Sequence, residues 1–361
     1  MNVIRKSVRF LSLSSIMLLC VVAFSMCAYS QGNIKLGTLN VHPSFSEKVT
    51  FDDNIYQISG KGTNGSKNSD IINTITPGLG LELPIGAGQV TGKHVVGLNW
   101  FTDFVNYRDN ADQNQQNHTF NATGSFEFAR GFTISFNDNY VDTWGTAGSD
   151  TDKLHPRITN TATVNVSLPD YFRRFDVDLT YENYNQEYDE FALRRANRNR
   201  SKFTVKVPFE LAPTITIFPE WSYDQTFIKN ESLDGGLSDS HGNSLYAGMV
   251  WQATAKTLAN MKFGWSNRDF QKETVSDINT FAMQVGVISD LSERTRFTFN
   301  LNRDEQISEF TTGANGFVET GGKFSLSHTI RKITAKINGG YEKSVFRDSQ
   351  RKDDTYDAGA R

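Results

Sequence analysis

The chain has 361 residues, 38% of them hydrophobic, with 37 basic and 40 acidic residues for a net charge of −3. That is too polar for a bundle of membrane helices, each of which needs about 20 consecutive apolar residues, and too acidic for a general nucleic-acid binder. Yet 27 Phe, 12 Tyr and 5 Trp stand against 8 Pro, a balance suited to strands that show one face to lipid and the other to water.

Residues 1–30 read as a signal peptide. Arg5, Lys6 and Arg9 form a basic start, Phe10 to Phe24 is an apolar run, and Ala28-Tyr29-Ser30 offers small residues where a signal peptidase reads, before Gln31. A lipoprotein would need small residues before Cys20 or Cys27, where Leu19 and Met26 stand. Both cysteines fall in this segment, so the mature chain is expected to carry no disulfide and no thiolate metal site.

From residue 36 onward the pattern has period 2. Near 41–58, Phe45, Val49 and Phe51 share one face, with His42 and Ser44 opposite. From Ile71 to Leu83 the odd positions are Ile71, Asn73, Ile75, Pro77, Leu79, Leu81 and Leu83, and the even ones are small or polar apart from Ile72. This alternation is what a half-apolar strand needs. A strand near 93–107 follows, then Phe120, Ala122, Gly124, Phe126 and Phe128 against Thr119, Asn121, Thr123, Ser125 and Glu127. Further strands are expected near 132–144, 158–168, 175–182 and 202–211, with weaker ones at 215–227, 245–253, 261–269, 281–287, 297–301, 324–330 and 333–345.

These make about fifteen strands. Short connections such as Ala129–Gly131, Ala212-Pro213 and Arg331-Lys332 alternate with long polar ones such as Ser59–Ser69, Arg108–Asn117, Glu187–Arg198, Lys229–Gly242 and Ile307–Gly316. Outer-membrane barrels have this asymmetry, with short periplasmic turns and longer outer loops. Pro84–Gly92 is long for a periplasmic turn, and Lys272–Asp277 is short for an outer loop. Aromatics gather near both strand ends, as two interfacial girdles require. The fold expected is all-β, an up-and-down antiparallel transmembrane β-barrel in one domain over residues 31–361. Tyr356 to Arg361 reads as the start of a sixteenth strand that stops early. Barrels need an even strand number, so about 16 or 18 are expected in the complete protein, with this chain a C-terminally truncated fragment.

The opening also carries a specific resemblance. Val41 to Ile55 reads VHPSFSEKVTFDDNI, followed by Lys67-Asn68-Ser69-Asp70-Ile71-Ile72 and Ile75-Thr76-Pro77-Gly78-Leu79. This resembles the putative β-barrel porin 2 family, in which an aromatic–Asp-Asp-Asn stretch precedes Lys-Ser-Asp and a Pro-Gly-Leu strand. Only residues 41–81 carry recognisable motifs, and Lys-Ser-Asp is one residue longer here. The resemblance implies a porin-like fold in the cell outer membrane of a Gram-negative bacterium and an association with exopolysaccharide production or export. It brings no catalytic residues. Asp52, Asp53 and Asn54 are expected to form a turn or anchor a loop.

His42 and Ser44 share a face as a base and nucleophile would, but their inward direction and surroundings do not suit a hydrolase, so no enzyme and no cofactor are expected. His118, His155 and His241 are scattered among different loops and make no metal or acid–base constellation. Arg194, Arg195, Arg198 and Arg200 form the densest basic cluster. Guanidinium forks bind the anionic groups of lipopolysaccharide and acidic polysaccharides, and the competing reading is a solvated loop. Glu82, Glu127, Asp178, Glu182, Lys202, Lys206, Glu210, Glu220, Asp224 and Lys262 fall on the inward face. A barrel of about sixteen strands holds an aqueous channel, and such mixed charge suggests weak ion selectivity unless like charges segregate. Two functions follow: a porin-like channel tied to exopolysaccharide, or a non-conducting structural or adhesive surface barrel. The partners expected are outer-membrane lipid, lipopolysaccharide and a polysaccharide, with no nucleic acid.

Overall fold

A computed structural model describes residues 34–52, 55, 69–86, 94–146, 154–169, 175–229, 238–308, 315–331, 333–347 and 349–360. The signal segment, Asp53 and Asn54 lie outside them. The described chain is one antiparallel sheet of eighteen strands. In chain order these are β1 (Ile34–Leu36), β2 (Leu39–Asp52), β3 (Asp70–Ile85), β4 (His94–Tyr107), β5 (Gln115–Glu127), β6 (Thr133–Thr146), β7 (Leu154–Leu168), β8 (Val177–Tyr188) and β9 (Arg198–Lys206). They continue as β10 (Phe209–Ala212), β11 (Ile215–Ile228), β12 (Ser240–Thr254), β13 (Thr257–Phe270), β14 (Ile278–Ser292), β15 (Thr295–Ile307), β16 (Gly316–Ile330), β17 (Ile333–Phe346) and β18 (Lys352–Ala360).

Each expected strand is present, and three differences from the sequence reading have local causes. β1 is a short arm that turns back on β2 through Gly37, whose φ of 66° suits a residue without a Cβ. β9 and β10 are one strand interrupted at Val207–Pro208, where proline has no N–H to give the ladder, and both pair with β11. β18 begins at Lys352, ahead of the start expected at Tyr356, because Lys352, Asp353 and Asp354 are polar on both faces and carry no alternation to reveal the strand. It pairs with β17 from Val345↔Lys352 to Ile337↔Ala360. No register joins β18 to the β1–β2 edge among the described residues, so the sheet stays open there.

The registers carry one set of side chains across each face. Leu81, Leu98 and Ala122 fall in one row, and Trp221, Leu245, Trp265 and Phe281 in another. This face leaves large apolar groups uncovered, Phe45 being 72% exposed, as a lipid-facing wall does. Rings cluster along it at the two ends of the apolar band. Phe175 meets Phe209, and Phe128 meets Phe132, near the short turns. Toward the long loops Trp221 and Trp265 donate their indole N–H to Asn243 and Asn279. Amphipathic indoles behave this way at a lipid–water boundary. Beyond those rings the same face turns polar at Asn243, Asn267, Asp269 and Asn279, so the sheet extends past the apolar band.

The rim at the long-loop end is ordered by backbone capping. The N–H of Tyr107, Tyr188, Ile228 and Phe270, near or at the ends of their strands, is taken by the side-chain oxygen of Asn114, Asn197, Asp239 and Asp277 respectively, at 2.6–2.9 Å. Each cap satisfies a donor that the ladder no longer can. Asp70 does more. Its carboxylate accepts from the N–H groups of Ile71, Arg108, Asp109 and Asn110 and from Asn110 Nδ2. The aspartate of the Lys-Asn-Ser-Asp motif thus ties the start of β3 to the loop after β4.

Candidate functional site

The face opposite the lipid wall is built in two parts. From β5 to β7 it is almost uncharged: Thr119, Asn121, Thr123 and Ser125 stand beside Ser135, Asn137 and Asn139, then Thr159, Thr161, Thr163 and Asn165. Neighbours bond locally, as Asn121 Nδ2 does to Asn137 Oδ1 at 2.7 Å. From β8 to β13 the charges sort by strand. β8 carries Asp178 and Glu182, β9 carries Lys202 and Lys206, and β11 carries Glu220 and Asp224. Lys202 lies in register with both Glu182 and Asp224, and Lys206 with both Asp178 and Glu220. Like charges therefore segregate into adjacent stripes of opposite sign, which neutralise one another across the strands.

Glu82, Glu127, Glu210 and Lys262 also lie on this face, as expected from parity. Lys262 reaches past β12 to Glu220 at 2.7 Å. Arg268, on β13, does the same toward Asp224 at 2.9 Å. The residue between them in the row is Gly242, and a Cβ there would lie 2.4 Å from Asp224 Oδ1 and 2.7 Å from Arg268 Nη2. Only a residue without a side chain leaves room for this contact over an intervening strand.

Arg268 has a second carboxylate. Its Nε donates to Glu305 Oε2 at 2.6 Å and its Nη2 to Glu305 Oε1 at 3.0 Å. This bidentate pair is nearly closed to solvent, with side chains 4% and 6% exposed. Glu305 comes from β15, two strands away, and parity would put it on the lipid face. It reaches Arg268 because the β15–β16 hairpin leaves the wall. The β14–β15 register ends at Met283↔Arg303, while β15 and β16 stay paired to Ile307↔Gly316.

Beyond that point the outward side of the hairpin packs on the inner face of β13 and β14. Arg303 donates to Thr280 Oγ1 at 3.3 Å, Val318 packs with Phe270 and Ile278, and a Cβ on Gly316 would lie 2.6 Å from Ile278 Cδ1. Asn315 Oδ1 accepts from Ser238 N at 2.8 Å, and Tyr246 donates to Asp304 at 3.4 Å. The hairpin end is thus folded inward and latched to β12, β13 and β14. The sequence signal for it is the appearance of Arg303 and Glu305 on the face occupied by Phe297, Phe299 and Leu301.

The arginine cluster is divided by the fold. Arg194 sits on an exposed 3-10 turn over Phe191–Ala196 and donates to Asp189 O. The side chain of Arg195 lies outside the described residues. Arg198 and Arg200 are on the inner face of β9, each with its guanidinium carbon 5.8 Å from the centre of the Tyr184 ring. Arg200 also pairs with Glu182 at 2.8 Å. A cleft between this wall and the folded-in hairpin is lined by Tyr184, Arg198, Arg200, Thr226, Arg268, Glu305, Gln306 and Ile307. His42 and Ser44 lie in register with Gly80 and Gly78, on the inner face and away from that cleft.

A family model described as Putative beta-barrel porin 2 matches residues 28–361. No curated protein matches the sequence. Among solved structures, the siderophore receptor PirA from Pseudomonas aeruginosa aligns with a TM-score of 0.46 and 7% identity, over 89% of this chain and 60% of that one. CdiB from Acinetobacter baumannii aligns with a TM-score of 0.42 and 11% identity, over 90% of this chain and 60% of that one. OmpT, an outer membrane protein of Vibrio cholerae, gives a TM-score of 0.43 and 12% identity, with 91% and 98% covered. The chain spans about 60% of the length of the first two.

Proposed function

The chain belongs to the Putative beta-barrel porin 2 family, a family of the cell outer membrane, and from that premise we propose that it is a porin-like channel for hydroxyl-rich solutes, serving exopolysaccharide production or export. The observation that carries this reading is the nearly uncharged inner wall of β5–β7. Thr, Ser and Asn side chains offer both donors and acceptors without a fixed charge, so a saccharide can exchange its water for wall contacts of similar strength. The striped charges of β8–β13 leave little net field, which accords with weak ion selectivity. The uncovered apolar face meets outer-membrane lipid, and Arg194 at the rim meets lipopolysaccharide phosphates.

One observation favours a second reading, a non-conducting surface barrel acting through its loops. The latched β15–β16 hairpin occupies space on the inner face. Recording from the full chain in planar bilayers separates the two. Reproducible open steps with a small cation-to-anion permeability ratio support the channel. A folded, heat-modifiable barrel that never conducts overturns it.

A further inference from the structure

We propose that Tyr184, Arg200 and Thr226 form a subsite for the carboxylate of an acidic saccharide, a uronic acid unit. The three residues share one row across β8, β9 and β11, because Tyr184↔Arg200 and Arg200↔Thr226 are direct register partners. The row faces the cleft closed on its other side by Glu305, Gln306 and Ile307 of the folded-in hairpin.

Two polar groups in it are unmet. Thr226 is 1% exposed, and its buried Oγ1 has no hydrogen-bond partner. Arg200 Nε is also buried without an acceptor, although Nη2 of the same guanidinium is held by Glu182. Buried donors are nearly always satisfied in a working protein, so a hydroxyl and a guanidinium edge left together mark a missing acceptor. A carboxylate oxygen fits both donors, and its charge assists the bond to the guanidinium. The Tyr184 ring lies 5.8 Å from the guanidinium carbons of Arg198 and Arg200 and so helps hold the cations beside the cleft.

This subsite rests on the reading of that face as a solute path, but its test does not require conduction. The full chain, refolded in detergent, is titrated by calorimetry with a glucuronic acid oligosaccharide and with a neutral glucose oligosaccharide of the same length. Saturable binding of the acidic oligomer alone is expected. Arg200→Gln and Thr226→Val each weaken it by about tenfold, about 1.4 kcal/mol, and Asn267→Ala on the outward face of β13 leaves it unchanged. Thr226→Val keeps the Arg200–Glu182 pair, so it reports even if the arginine variant fails to fold, and heat-dependent gel migration checks each barrel. Absence of heat with the acidic oligomer, equal binding of the neutral one, or unchanged affinity in Thr226→Val overturns the proposal. Bilayer recordings without sugar judge the channel reading separately.

Discussion

The inner wall of β5–β7 and that of β8–β13 solve the same problem in different ways. Both must satisfy polar side chains on a sheet whose other face is apolar. The first wall uses short neutral groups that bond to the adjacent strand, as Asn121 does with Asn137. The second uses long charged groups that reach over a strand, as Arg268 does to Asp224 across Gly242. Local neutral bonds hold each strand to its neighbour. Long-range ion pairs tie distant strands together, and one of them, Arg268 to Glu305, joins apolar packing and hydrogen bonds in holding the β15–β16 hairpin inward. The difference teaches that one wall is bonded strand to strand and the other is a scaffold for the folded-in hairpin.

The sharpest way to break this contrast is Arg268→Leu. Asp224 and Glu305 would be left buried without their cation, and loss of a buried partner costs about 3–5 kcal/mol. Reversible urea unfolding in detergent reads that loss. Stability equal to the parent chain would show that the latch contributes nothing. Asp70→Ala tests the anchor that ties the start of β3 to the loop after β4. Removing the carboxylate leaves the N–H groups of Asp109 and Asn110 without their acceptor, while Arg108 N–H keeps the Ile71 carbonyl. The buried donor of Asn110, so stranded, costs about 1–3 kcal/mol before relaxation. Hydrogen exchange at those amides should rise at the same time.

Gly316→Leu probes the hairpin without removing a charge. The new side chain would collide with Ile278, and overpacking of this kind costs about 1–3 kcal/mol. Displacement of the hairpin should raise single-channel conductance, and a fall or no change would mean that the hairpin is not a constriction. The smallest effect is expected for Asn121→Ala, about 0.5–1.5 kcal/mol for one neutral hydrogen bond, with ion selectivity unaltered. A selectivity change as large as that from Lys202→Glu would dissolve the distinction between the walls.

Much of the fold was legible in the residues. The alternation of Ile71–Leu83 fixed which side of β3 meets lipid, and the short turns against long polar connections gave an antiparallel order that the registers follow. Parity also put Glu182, Lys202, Glu220, Asp224 and Lys262 on the inner face. The candidate site was legible only in fragments. Four arginines close in sequence read as one patch, but the chain passes from a 3-10 turn into β9 between Arg194 and Arg198, and the cluster divides between rim and lumen. Arg268 is not legible in the sequence, since a single arginine in a polar position carries no local signal. Tyr184 and Thr226 were unremarkable for the same reason.

The amino-acid sequence by itself determined where most strands run and which way most of their side chains point, because successive side chains on a strand alternate and the contrast between lipid and water acts on each segment independently. Only the tertiary structure decided which inward groups meet. The stagger between neighbouring strands sets which residues share a row, bringing Tyr184, Arg200 and Thr226 to one level. The departure of β15 from β14 lets Glu305 reverse its expected side and reach Arg268. Those meetings depend on stagger and curvature summed over many strands, and no short window of sequence contains them.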